Sequence, residues 1–226
     1  KDGKQRLYLY NLRNGESKEL IQEQVVAYYT WYDENTIVSA NIEEKNLNLY
    51  VNSLNNGTTK KYANNVGRSF HKIPNSKLVS FISKENDTWQ IKSINPDNGN
   101  IKTITNTLNK VEDICWLNQN TILSGKGGIL YKLTLRKDNS WKEVADLRKH
   151  GITKITRLAI NSNANKLLIA ADINEAAKEE EKARVESELN KGDAAKVKDL
   201  IADLNALKTK SKTLLLKRKM RLQSLH

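Results

Sequence analysis

Few residues in this 226-residue chain have the types and spacing that chemistry needs. The histidines stand alone at His71, His150 and His226, and Cys115 is the one cysteine, so neither a disulfide framework nor the usual zinc spacings can be built. No Gly-x-Ser-x-Gly elbow, His-Glu-x-x-His pair, Cys-x-x-Cys motif or phosphate-cradling glycine loop occurs. Ser124-Gly125-Lys126-Gly127-Gly128 is rich in glycine, but strand-like runs flank it on both sides. The helix N-terminus that would hold a phosphate is missing, so the stretch reads as a hairpin loop. Cys115 sits beside Trp116 in an apolar run, which predicts a buried, inert thiol. That leaves Arg68 and His71, a guanidinium and an imidazole able to grip a carboxylate or a peptide end. The plainer account of His71 is a hydrogen bond between repeating units. No cofactor and no metal is implied by these groups.

The elements that must position these residues repeat. Gly15, Gly57 and Gly99 are 42 residues apart, and each follows an alternating run: Leu7-Tyr8-Leu9-Tyr10-Asn11-Leu12, Leu49-Tyr50-Val51-Asn52-Ser53-Leu54 and Trp89-Gln90-Ile91-Lys92-Ser93-Ile94. An Asn-Gly pair comes next, which suits a tight hairpin turn because both residues tolerate positive φ, and then a short edge strand. A fourth copy, Leu130 to Leu135, reaches its turn at Asp138-Asn139-Ser140 without a glycine. The other half of the unit repeats too: Trp31-Tyr32-Asp33-Glu34-Asn35-Thr36-Ile37-Val38-Ser39 returns 85 residues on as Trp116 to Ser124. Variants occur at His71 to Ser80 and at Ile160 to Ile169. Four short strands per unit of about 42 residues predict the blades of a β-propeller, about four of them, in an incomplete ring. A blade cannot bury both faces of its sheet alone, so blades stack, with Trp31, Trp116, Tyr50 and Tyr131 expected between them. The innermost strand of each blade lines the channel, and Arg68-Ser69-Phe70-His71 falls on one. Tyr29, Asp113 and Lys154 hold matching places, so the expected ligand site is Arg68, His71, Asp113 and Lys154.

Composition breaks near residue 172. All 14 aromatic residues and 24 of the 27 asparagines precede it, and Ala, Glu, Lys and Leu then dominate. Two domains are expected, blades over 1–172 and a charged helical extension over 173–226, with helices at about 175–190 and 193–223. Lys191-Gly192 separates these helices, and Asp193 can cap the second. Val197, Leu200, Ile201, Leu204, Leu207, Leu214 and Leu215 lie near one face of it, a spacing suited to a partner helix. Its end is basic at Lys217, Arg218, Lys219 and Arg221. A basic amphipathic end can meet anionic lipid or nucleic acid, but without interleaved aromatics it is a weak nucleic-acid signal, and a solvated helix face is the simpler account. The formal charge of +12 favours acidic partners, and no apolar run reaches the length of a membrane-spanning helix.

The segments Gly67 to Asn75, Trp31 to Ser39 and Asp113 to Leu117 resemble repeats of the TolB-like β-propeller family, of the periplasmic Bacteroidetes type. The resemblance covers residues 1 to about 171. Family members have about six blades behind a signal peptide, so it implies that this chain is the C-terminal portion of a propeller with an unrelated helical tail. It further implies a periplasmic, non-catalytic scaffold binding a protein or peptide through channel-mouth loops. The propeller domain of a hydrolase or peptidase is the alternative, and a membrane- or nucleic-acid-associated role for the basic end is a third.

Overall fold

The computed structural model describes residues 4–174 together with Ala176, Glu179 and Ala183. Sixteen strands occur among them, each paired antiparallel with its sequence neighbour. Three complete four-stranded sheets follow one another. The first holds β3 (Val26–Trp31), β4 (Thr36–Glu43), β5 (Asn46–Ser53) and β6 (Thr58–Ala63). The second holds β7 (Val66–Lys72), β8 (Val79–Ser83), β9 (Gln90–Ile94) and β10 (Ile101–Asn106). The third holds β11 (Ile114–Asn118), β12 (Thr121–Lys126), β13 (Ile129–Thr134) and β14 (Lys142–Asp146). Two-stranded sheets come before and after: β1 (Tyr8–Tyr10) with β2 (Ser17–Glu19), and β15 (Ile152–Ile160) with β16 (Leu167–Ile173). The count is therefore three blades and two half-blades rather than four blades. The sequence holds four copies of each half-unit, but the two series are offset by half a blade.

The three complete sheets and β15–β16 belong to one compact unit, and β1–β2 to another. Within the first unit, β3 lies against β7, β7 against β11, and β11 against β15, so the first strand of each sheet meets the first strand of the next. The alternation of side chains along a strand explains the stacking. On β8, Phe81 joins Val38, Leu49 and Phe70 in the core facing the first sheet, while its neighbour Ile82 joins Ile91, Ile114 and Trp116 in the core facing the third. On β12, Ile122 points back to the second sheet and Leu123 forward to Ile155 and Leu158 of β15. The second and third sheets are thus walls each shared by two cores, which is the arrangement of propeller blades. Trp116 is buried as expected, and its indole Nε1 donates to Ser80 Oγ of the preceding sheet at 2.8 Å. Tyr50 is buried with its hydroxyl on Glu43, whereas Trp31 and Tyr131 are half-buried.

The Asn-Gly turns are built differently from the expected tight hairpin. Only the glycine takes positive φ, +73°, +68° and +76° at Gly15, Gly57 and Gly99. The preceding asparagine stays out of the left-handed region because its side chain has another task. Its Oδ1 accepts the backbone N–H two residues on, from Glu16 at 3.1 Å, Thr58 at 3.1 Å and Asn100 at 3.0 Å.

Beyond the last strand, Ala176, Glu179 and Ala183 are helical and exposed. The rest of the expected 175–190 helix, the whole 193–223 helix and the patch Lys217, Arg218, Lys219 and Arg221 lie outside the described residues.

Candidate functional site

Three successive inner strands bring their charges together. Asp113, just ahead of β11, is held from both sides: Arg68 Nη2 on β7 donates to Oδ2 at 2.5 Å, and Arg157 Nη1 on β15 donates to Oδ1 at 3.0 Å. The carboxylate side chain is 13% exposed and the guanidiniums 36% and 49%, so the acid is covered and the bases reach water. Next to it, Glu112 accepts the Arg68 backbone N–H at 3.0 Å and Lys84 Nζ at 2.9 Å. Burial alone would ease the proton off Arg68, but the hydrogen bond to Asp113 and the charges of Asp113 and Glu112 outweigh it and hold the guanidinium more firmly charged. Its Nε is buried and has no hydrogen-bond partner. Gly67 permits this approach, since a Cβ there would stand 2.9 Å from Glu112 Oε2 and 3.0 Å from Ile82 Cβ.

His71 lies further along β7, half-buried, with Nε2 3.0 Å from Ser69 Oγ. That hydroxyl also accepts the N–H of Ile114 on β11 at 3.4 Å, so it links two blades. The His71 carbonyl accepts from Ser80 Oγ at 3.2 Å, and Ser80 in turn takes the Trp116 indole. A hydroxyl beside an imidazole has the outline of a nucleophile and its base. Here the hydroxyl is buried and spent on blade-to-blade contact. Cys115 is buried as well, and burial pushes its thiol up to about 12, so little thiolate exists at neutral pH.

Of the four expected ligand residues, Arg68 and Asp113 meet directly, and His71 sits on the Arg68 strand with its Nε2 beside Ser69 Oγ. Lys154 is exposed on β15, opposite Asp172 in register. The base that reaches Asp113 from β15 is Arg157, which sequence spacing did not single out. Register shifts between Ile152 and Lys154 and between Ile155 and Arg157 alter which residues of β15 face β11, and nothing in the local pattern announces them. Lys84 was missed for a similar reason, since it follows the end of β8, distant in sequence from Glu112.

Two surface grooves lie elsewhere. One of about 380 Å³ is lined by Glu43, Glu44, Asn48, Lys61 and Asn65, and one of about 310 Å³ by Tyr32, Asp33, Lys72, Lys77 and Asp97. No group of three or more metal-ligating side chains occurs among the described residues, and no described helix is long and apolar enough to cross a membrane. What the inner-strand cluster can do is electrostatic. Arg68, Asp113 and Arg157 sum to one positive charge, with partly exposed N–H groups fit for a carboxylate.

Fold and site together define a β-propeller repeat protein. No family model matches the chain, and no curated protein matches it. Solved structures do. TolB from Acinetobacter baumannii superposes with a TM-score of 0.55 at 14% identity, over 74% of this chain and 43% of TolB. Regucalcin from Agrobacterium tumefaciens, described as a calcium-binding protein, gives 0.51 at 11% identity, over 74% and 60%. An oligogalacturonate lyase in complex with manganese gives 0.50 at 13% identity, over 74% and 54%. The chain therefore spans about half the length of the structures it matches. At these identities the likeness establishes the propeller fold.

Proposed function

We propose that this chain is a non-catalytic protein-interaction module, a TolB-like propeller scaffold of the periplasm, that binds the acidic part of a protein or peptide. The observation carrying this reading is the Asp113 carboxylate clamped between Arg68 and Arg157 of flanking blades. The clamp fixes both guanidiniums in place, keeps a net positive charge on the inner strands and leaves guanidinium N–H groups of Arg68 and Arg157 in reach of water. Ion pairing with a partner carboxylate would complete that donor set. The fold likeness to TolB supports the scaffold role, as does the engagement of Ser69 and Cys115 in packing rather than reactivity.

Pull-down from a bacterial envelope extract with the native chain and with the Arg68→Ala/His71→Ala variant tests it. Partners recovered by the native chain and lost from a variant of unchanged circular dichroism support the site, and equal recovery removes it. The hydrolase reading rests on one observation, the Ser69–His71 pair at 3.0 Å. A screen of ester, lactone and peptide substrates decides that point: turnover abolished by Ser69→Ala would replace the scaffold with an enzyme.

A further inference from the structure

Asn-Gly pairs close the β1–β2, β5–β6 and β9–β10 turns, and in each the asparagine Oδ1 accepts the N–H two residues on. Their surroundings differ. The Gly15 N–H donates to Asn11 O at 2.8 Å and the Gly99 N–H to Asn95 O at 2.7 Å, whereas the Gly57 N–H has no hydrogen-bond partner among the described residues. Gly99 lies against Tyr62, whose Cε1 would stand 2.2 Å from a Cβ at that glycine, while nothing lies within 4 Å of the same place at Gly57. At Asn14 the side-chain Nδ2 donates to Glu16 Oε2 at 2.8 Å. At Asn56 the side-chain Oδ1 gains a second donor, the Thr58 Oγ1 at 2.8 Å. The stretch from Asn55 to Lys60 is exposed throughout.

We infer that Asn56 is a self-modification site, at which the backbone nitrogen of Gly57 converts the side-chain amide into a carboxylate. The Gly57 nitrogen gives its proton to hydroxide and attacks Asn56 Cγ. An N–C bond forms, the Cγ–Nδ2 bond breaks, and Nδ2 takes a proton from water and leaves as ammonia. Water then opens the cyclic imide at either carbonyl, giving aspartate or its β-linked isomer. No electrons change hands, and water is the one co-reactant. Each local difference bears on these steps. A glycine N–H already given to a carbonyl must lose that bond before it can ionise, a cost met at Gly15 and Gly99 but not at Gly57. Ring closure turns the asparagine side chain back onto the next nitrogen, so the backbone has to rotate. The Tyr62 ring hinders that rotation at Gly99, and the open space around Gly57 permits it. Two donors on Asn56 Oδ1 polarise Cγ and receive the negative charge that gathers on the oxygen during attack, as an oxyanion hole does. At Asn14 the Glu16 carboxylate instead holds the departing nitrogen and opposes negative charge beside it. Conversion places a carboxylate on the turn that leads into Lys60 and Lys61 of β6, and the β-linked product adds a carbon to the backbone of that turn. This chemistry is independent of the partner site at Arg68.

The test incubates the full 226-residue chain in mildly alkaline buffer, folded and in urea, and follows positions 14, 56 and 98 by peptide mass spectrometry. In the folded chain, conversion at Asn56 should outpace that at Asn14 and Asn98 by about fivefold or more, the factor that one net hydrogen bond is worth. Both aspartate and its β-linked isomer should appear at position 56, because a cyclic imide gives both while direct hydrolysis of the amide gives aspartate alone. In urea the three rates should converge, since the differences between the turns belong to the fold. Equal rates in the folded chain overturn the inference, as does faster conversion at Asn14 or Asn98. So does a lead for Asn56 that survives undiminished in urea, or aspartate as its sole product.

Discussion

At the scale of single residues, the inner-strand cluster couples charge to blade contact. Asp113 is shared by Arg68 and Arg157, so removing its charge leaves two like charges facing each other across neighbouring blades. Because both guanidiniums are more than a third exposed, solvent screens much of that repulsion. Asp113→Asn is expected to cost about 1–2 kcal/mol, and Arg157→Ala less than about 1 kcal/mol, read from urea denaturation. An Asp113→Asn chain as stable as the native one would show that the clamp contributes nothing to blade packing. A second residue joins the first two blades from the turn side. Tyr32 is buried, its hydroxyl donates to Asp97 at 2.9 Å, and Lys72 Nζ lies 5.8 Å from its ring centroid. Burial first, then the hydrogen bond and negative charge of Asp97, push its phenol up to about 12. The unfolded chain releases this proton near pH 10, before the folded one does, so the Tyr32 contribution is whole below about pH 10 and is lost between about 10 and 12. Stability measured from about pH 9 to 12 should therefore fall less steeply in Tyr32→Phe than in the native chain. Parallel curves would mean that the phenol titrates alike in both states.

At the scale of the element, turns and glycines decide whether a blade fits its neighbour. Gly57 and Gly128 both lie between paired strands, yet they do different work. Gly57 needs its φ of +68° and has nothing within 4 Å of where a Cβ would stand. At Gly128 a Cβ would stand 2.2 Å from the Ile152 carbonyl oxygen, backbone that cannot step aside without moving β15. Gly57→Ala is expected to cost about 1 kcal/mol through the left-handed backbone alone, and Gly128→Ala more than about 2 kcal/mol through displacement of the last half-blade. Equal losses in thermal denaturation would contradict the close approach. The same contrast shows what a sequence can disclose. The 42-residue spacing of Gly15, Gly57 and Gly99 located the blade edges, because a left-handed turn residue is a local requirement and leaves a local mark. The Asn partners were legible as turn residues but not in their geometry, since their Oδ1 atoms bond to the backbone instead of letting φ turn positive. Arg68 and Asp113 could be placed on inner strands by repeat position. Arg157 could not, because two register shifts in β15 decide which of its side chains meet β11.

At the scale of the molecule, a protein whose sheets each lean only on their neighbours should be unequally stable along its length. The second sheet has both faces covered, Phe81 toward the first sheet and Ile82 toward the third. Half-blade β15–β16 buries Ile155 and Leu158 against the third sheet but leaves alternate residues of β16 in water. Backbone amides should therefore exchange with deuterium slowest in β8, faster in β16 and in β1. Mass-spectrometric exchange of peptides covering 79–83, 167–173 and 8–10 would rank them. Equal rates would mean that the whole array opens at once, with no neighbour-by-neighbour stability.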